Sequence, residues 1–261
     1  MEAGTGRATV DVTRIVVIRK RFRPVEGAQH PRHWAYWRRE PLAYRSNLLP
    51  QGPGLAAPRC YAVTEDAIYL EDVQGPPESP TLAAQRLGAW HAAPLPGSIP
   101  AWVAGHQLAQ RVATKDLDWA GIDVDERLRA YWDRRDELLA RLEQMPFVLS
   151  HGDFHIGHLK ATASGVTTVI DWATLGMSPL GADLAHLALS TQRDLIDDYL
   201  QGLDGAIEDV APGYAVTLGL TAASRFHWMR TRGVEVPPGY VDFVLGQLSR
   251  ASIRRSGCGT G

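Results

Sequence analysis

Four ionisable side chains crowd into eight residues of the segment Ser150-His151-Gly152-Asp153-Phe154-His155-Ile156-Gly157-His158, and a further acid follows in Ile170-Asp171-Trp172. The apolar run Phe147–Leu149 enters this loop and the run Val166–Ile170 leaves it, with Ser164-Gly165 marking a turn between them. The pattern predicts that Asp153 and Asp171 sit at the ends of two neighbouring strands. One such carboxylate can handle a proton while the other holds a cation. Three chemistries fit these residue types. The histidines can simply satisfy hydrogen bonds in a polar turn. His151, His155 and His158, at i, i+4 and i+7, could gather a metal on one helix face, but Gly152 and Gly157 interrupt the segment and argue against a helix. A two-metal phosphoesterase would need further Asp and His ligands along the chain, and no Asp-x-His upstream or Gly-x-His downstream completes such a set. The third chemistry is phosphoryl transfer.

The order and spacing of His151-Gly152-Asp153, Ile170-Asp171-Trp172 and Gly181-Ala182-Asp183-Leu184-Ala185 resemble the aminoglycoside phosphotransferase and choline kinase-like family of small-molecule kinases. That family places an Asn after four residues beyond its His-Gly-Asp; here His158 stands in that position. The resemblance implies an α+β, bilobal protein-kinase-like fold, with a small β-rich N-lobe and a larger, mainly helical C-lobe. It implies that Asp153 is the catalytic base, that Asp171 and His158 bind the metal, and that His151 and Asp183 brace the loop. The cofactors implied are ATP or GTP with Mg²⁺, or Mn²⁺, since an imidazole is a softer ligand than an amide oxygen. A nucleotide-binding pseudokinase is the alternative that the His158 departure leaves open, and a metal-dependent phosphoesterase is a further one.

These groups need elements to carry them. Ile15–Phe22 is rich in β-branched residues and stops before Pro24, so it reads as a strand, preceded by a second extended run at Ala8–Val12. Strand parity places Val16, Ile18 and Lys20 on one face, which favours Lys20 over Arg19 and Arg21 as the lysine that the resemblance pairs with nucleotide phosphates. Residues 33 to 47 read as a helix with an awkward Pro41. Its one acid, Glu40, is the expected partner of Lys20. Arg59–Val63 and Ala67–Val73 read as strands. The second is similar to the family's hinge strand, which puts the backbone around Glu71 and Val73 beside an adenine. Residues 74 to 80, rich in Pro and Gly, form the predicted linker between an N-lobe of residues 1–73 and a C-lobe of residues 81–255, with 256–261 a flexible tail. Helices are predicted over Thr81–Ala93, Asp123–Met145, Asp183–Ser190, Asp194–Leu203, Tyr214–Thr231 and Tyr240–Arg255. Asp183 and Asp194 are expected at helix N-termini. Only about nineteen residues precede Lys20, so the N-lobe is expected to be shortened, with Gly4-Thr5-Gly6 a candidate remnant of a glycine-rich loop.

Of the 261 residues 45% are hydrophobic and 21% charged, a balance that suits a globular chain with a sizeable core. Cys60 and Cys258 lie too far apart to suggest a disulfide framework. No secretory signal and no span of about 20 apolar residues is evident, so a cytoplasmic protein with no membrane partner is expected. Residues 1–60 carry eleven Lys/Arg against four Asp/Glu, and the remainder sixteen against twenty-five. The basic part suits a nucleotide triphosphate better than nucleic acid, for which there is no binding motif. Asp116, Asp118, Asp123 and Asp125, near Trp119, offer an attraction for an amine-bearing acceptor such as an aminoglycoside or amino sugar, or they are helix caps and solvated surface. A natural-product intermediate or a peptide hydroxyl are the other acceptors considered.

Overall fold

The computed structural model describes residues 16–95 and 97–256, with side chains described up to Ala251. The expected strand Ala8–Val12 and the Gly4-Thr5-Gly6 run lie outside the described residues. The N-terminal sheet has the order β1-β4-β3, built from β1 (Val17–Arg21), β3 (Cys60–Val63) and β4 (Ala67–Glu71), all antiparallel. In this register Lys20 sits opposite Ile68, whose side chain is fully buried.

Instead of a helix over residues 33 to 47, successive turns lead into a short α1 (Arg39–Tyr44). Pro41 explains the start. It is the third helical residue, where its missing N–H would have no partner within the helix anyway. The guanidinium of Arg39, wholly buried, donates to the carbonyls of Pro31, His33, Trp34 and Trp102 and so pins those turns.

The remainder is mainly helical around two more three-stranded sheets. One, of order β2-β8-β7, joins β2 (Leu55–Ala56), β7 (Leu159–Ala161) and β8 (Thr167–Val169); the other, of order β5-β9-β6, joins β5 (Ala104–His106), β6 (Phe147–Ser150) and β9 (Gly176–Pro179). The strand that leads to Asp153, β6, and the strand that leads to Asp171, β8, therefore belong to different sheets and are not neighbours, contrary to the sequence expectation. The apolar runs gave the strand ends correctly, but hydrogen-bond partners depend on β9 and β2, which the local pattern does not reveal.

Helices α2 (Pro80–His91) and α7 (Ile196–Leu203) pack with their backbones almost touching. A Cβ on Gly88 would lie 2.2 Å from the Tyr199 carbonyl oxygen, and one on Gly202 would lie 1.8 Å from that of Gln85. The single helix expected over Asp123–Met145 is two, α4 (Glu126–Asp133) and α5 (Arg135–Leu142), broken at Arg134. The core runs from Leu128 and Trp132 through Phe154 and Trp172 to α6 (Ala182–Thr191) and α8 (Ile207–Thr231), with α9 (Tyr240–Ser256) packed on α8. α3 (Gln107–Ala113) faces α8 across the loop after β6. No helix among the described residues is long and apolar enough to cross a membrane.

Candidate active site

The loop after β6 is held from beneath. The Asp183 carboxylate accepts hydrogen bonds from the backbone N–H groups of His151 and Gly152, at 2.7 and 2.8 Å. Asp183 is thus in the first turn of α6 but does not cap it, because its carboxylate turns to the neighbouring loop. Burial pushes its pKa up, but His91, His151 and His186 outweigh this and hold the carboxyl well below the usual range. Gly152, at φ 78°, is required here: a Cβ would fall 2.2 Å from the Gln107 side chain and 2.6 Å from the Thr174 carbonyl.

His151 is fully buried, and burial lowers its pKa, so it is neutral. Its Nε2–H donates to the Ile170 carbonyl at 3.0 Å, while Nδ1 accepts from Asp153 N–H at 3.2 Å. This imidazole ties the Asp153 loop to the segment that carries Asp171, across the two sheets. Asp171 itself has φ 66°, in the left-handed region that few non-glycine residues adopt, and such strain persists where the surroundings impose it.

Lys20 Nζ stands 2.6 Å from Glu40 Oε2 and 2.6 Å from Asp171 Oδ1. Three segments far apart in sequence, β1, α1 and the second residue after β8, therefore meet at one ammonium. Burial of Lys20 works against its charge, yet Glu40 and Asp171 together raise its pKa. Burial raises that of Glu40, whereas Asp171, also opposed by burial, is lowered chiefly by its bond to Lys20. Arg19 and Arg21 point instead towards Asp66 on the exposed side.

His158 lies between the two acids. Its Nδ1 contacts the Asp153 carbonyl at 3.0 Å, which can only accept, so Nδ1 carries a proton, and Nε2 lies 3.8 Å from Asp171 Oδ2. This oxygen–nitrogen pair suits a divalent cation, and its imidazole member suits Mn²⁺ better than Mg²⁺. Asp153, His155 and His158 also offer ligand atoms within 4.8 Å of one another. However, His155 Nδ1 accepts from Gly157 N–H, which leaves Nε2 protonated and facing Asp153 at 3.8 Å. His151 stands apart from that group, its nitrogens being occupied.

Three groups around Asp153 carry no mark in the sequence. Arg225 on α8 approaches Oδ1 at 3.8 Å, and His186 on α6 and Arg111 on α3 add their fields. Burial would raise the Asp153 pKa, but His186, His155, His158 and Arg111 together hold it below the usual value. The available signal was an arginine or histidine inside otherwise apolar helical runs. Glu71, at the end of β4, accepts from Arg59 N–H at 3.1 Å, and Val73 lies beyond the last ladder pair, Val17 and Glu71. Of the acids near Trp119, Asp118 accepts from Ala120 N–H and Asp125 caps α4 through Arg127 N–H. Asp194 accepts weakly from Ile196 N–H and pairs with Arg250.

A small antiparallel sheet, a helical part and a His-Gly-Asp loop facing a strand lysine define an α+β protein-kinase-like phosphotransferase. The chain belongs to the phosphotransferase enzyme family, whose model matches residues 39–219. Among solved structures, the choline kinase LicA from Streptococcus pneumoniae is similar at TM-score 0.53 and 14% identity, over 94% of this chain and 88% of that one. The Plasmodium vivax ethanolamine kinase gives TM-score 0.53 and 16% identity, over 94% and 78%. The F108L mutant of an aminoglycoside 2'-phosphotransferase, solved with GDP, gives 0.51 and 15%, over 84% and 81%. At these identities the likeness is one of fold. A search of curated proteins returned no significant sequence match.

Proposed function

We propose that the protein moves the γ-phosphate of ATP or GTP to a hydroxyl of a small molecule. The observation that carries this reading is the junction at Lys20, whose ammonium touches both Glu40 and Asp171 at 2.6 Å. Phosphoryl transfer needs positioning and charge neutralisation more than covalent participation by the protein. Lys20, kept in place by buried Glu40, would grip the α- and β-phosphates. The backbone near Glu71 and Val73 would border the adenine, with residues 74–80 as the link between the lobes. Asp153, ionised at neutral pH, would align the acceptor hydroxyl and take its proton as the oxygen attacks the γ-phosphorus and the bond to the bridging oxygen breaks. Asp171 and His158 would hold the divalent cation, which when bound neutralises charge on the phosphate oxygens. His151 and Asp183 would fix the loop without contacting the reacting atoms.

The test begins with thermal stability in the presence of ATP or GTP, each with Mg²⁺ or Mn²⁺, and with metal alone. Stabilisation that requires both nucleotide and metal supports the kinase. Stabilisation by metal alone would move the reading to a hydrolase, and nucleotide binding without consumption to a nucleotide-binding pseudokinase. In the active enzyme Asp153→Asn should reduce turnover by on the order of 10²–10⁴-fold. Full activity in that variant would remove Asp153 from the mechanism.

A further inference from the structure

Beside the candidate base a cavity of about 130 Å³ opens between α3, α6 and α8. That is about the size of an apolar protein cavity known to hold benzene, here with an open mouth and a polar wall. Its wall includes Gly152, one residue from Asp153, and Arg225, whose guanidinium is 3.8 Å from the Asp153 carboxylate. The cavity is therefore where a molecule would sit to present a hydroxyl to Asp153.

Three cations line it: Arg111, Lys115 and Arg225. Among the described residues neither Arg111 nor Lys115 reaches a carboxylate. Arg111 leans on Gln107 at 3.5 Å and over the Trp34 ring at 5.1 Å, and the Lys115 ammonium bonds the Ser224 hydroxyl. The acids whose fields Arg111 feels are Asp153 and Asp183, and Asp183 is already occupied by two backbone N–H groups. Burial, followed by mutual repulsion with Arg225, lowers the pKa of Arg111; burial, then Arg111 and Arg225, lowers that of Lys115. Three like charges on one wall repel each other, and the fields of Asp153 and Asp183 offset them only in part.

Several polar atoms on the same wall also lack a partner. The Thr217 hydroxyl, on a side chain 1% exposed, has none, nor has His186 Nδ1 or Arg111 Nε. Thr217, Thr221 and Arg225 follow each other at four-residue intervals on α8, a polar stripe on a helix whose neighbouring face is core. Unpartnered polar atoms and a net positive charge at one cavity describe a recognition surface for an oxyanion.

We propose that this cavity binds an acidic acceptor, a hydroxyl compound bearing a carboxylate or phosphate group, with Arg111 and Lys115 holding the anion and Arg225 placed between it and Asp153. This rests on the phosphotransferase reading and departs from the amine-bearing acceptor that the acidic stretch around Trp119 suggested, since Asp118 and Asp125 of that stretch are engaged in local turns. A cationic acceptor would instead meet Arg111 and Lys115 with like charge.

The experiment uses the full chain saturated with a non-hydrolysable ATP analogue and the divalent metal, so that the nucleotide site is filled. Calorimetry then compares glycerate, glycerol phosphate and ethanolamine as probes. Binding of either anion, but not the amine, is expected; the two anions tell carboxylate from phosphate recognition. Lys115→Glu, at an exposed position that tolerates change, should weaken anion binding by about tenfold or more, the size of one lost charge-assisted bond. The affinity for nucleotide should stay unchanged. Arg111→Gln is the second variant, and Lys115→Glu keeps the test decisive if its folding fails. Binding of ethanolamine in place of the anions, absence of anion binding, or anion binding unaffected by Lys115→Glu each overturns the proposal. These results are separate from nucleotide consumption, whose loss would count against the phosphotransferase reading instead.

Discussion

At the scale of single residues, the His-Gly-Asp loop was conspicuous because its ionisable side chains lie close together in the sequence. Lys20 was legible by strand parity, and its partner Glu40 because it is the only acid in its stretch. Asp183 was identified as a brace, although its actual task, accepting from two loop N–H groups, could not be read from its place at a helix start. Arg111, His186 and Arg225 escaped, because each looks like an ordinary helical residue until three helices are brought together. His158 is the residue with the most telling substitution. Its Nδ1 is committed to the Asp153 carbonyl, so its other nitrogen is the one that faces Asp171. If the pair holds the cation, His158→Asn exchanges a nitrogen ligand for an oxygen one. The variant is expected to shift metal preference from Mn²⁺ towards Mg²⁺, measured as the ratio of turnover rates with the two ions. An unchanged ratio would show that His158 serves only the loop's hydrogen bonding.

At the scale of elements, apolar periodicity found most helices, and the errors came where a single residue decides. Pro41 converts an expected long helix into turns and a six-residue α1, and the backbone breaks another in two at Arg134. Periodicity says nothing about how closely two helices approach. The contact of α2 with α7 depends on Gly88 and Gly202, and it matters for the site because α2 carries His91, whose Nδ1 bonds the Tyr199 hydroxyl and whose Nε2 lies 3.6 Å from Asp183. A methyl group at Gly202 would overlap the Gln85 carbonyl, a backbone atom that cannot rotate away. Gly202→Ala should cost about 1–3 kcal/mol by forced separation of the helices. The midpoint of thermal unfolding should fall by several degrees. A wild-type midpoint would mean that the helices part without penalty. The same variant should also lower activity at temperatures below its melting, through loosening of His91 and Asp183 beneath the loop.

At the scale of the whole molecule, the fold class was readable through the family resemblance that the ordered motifs at 151–153, 170–172 and 181–185 carry. Sheet membership was not readable, because β2 and β9 each pair with strands more than 60 residues away or across a loop. The distribution of buried histidines makes a further property measurable in the intact protein. His106, whose ring stands edge-on to that of Phe147 with the centroids 5.0 Å apart, is pushed down to about 4 by burial, and His151 and His186 are also lowered by burial. Their unfolded counterparts titrate near 6.5. Between those two values the unfolded chain binds protons that the folded chain refuses, so the sign is fixed: stability is present above pH 6.5 and declines as pH falls towards 4. Each such histidine contributes a slope of at most about 1.4 kcal/mol per pH unit. Asp183 adds a loss of the same direction at lower pH, because its folded carboxyl is depressed and the unfolded one takes up its proton first. Denaturant melts at pH 7.0, 6.0 and 5.0 should therefore show a steady fall in unfolding free energy. In His106→Asn the fall should be shallower by up to one proton's slope. A flat profile in the parent protein, or an identical slope in the variant, would contradict the neutral, buried state assigned to this imidazole.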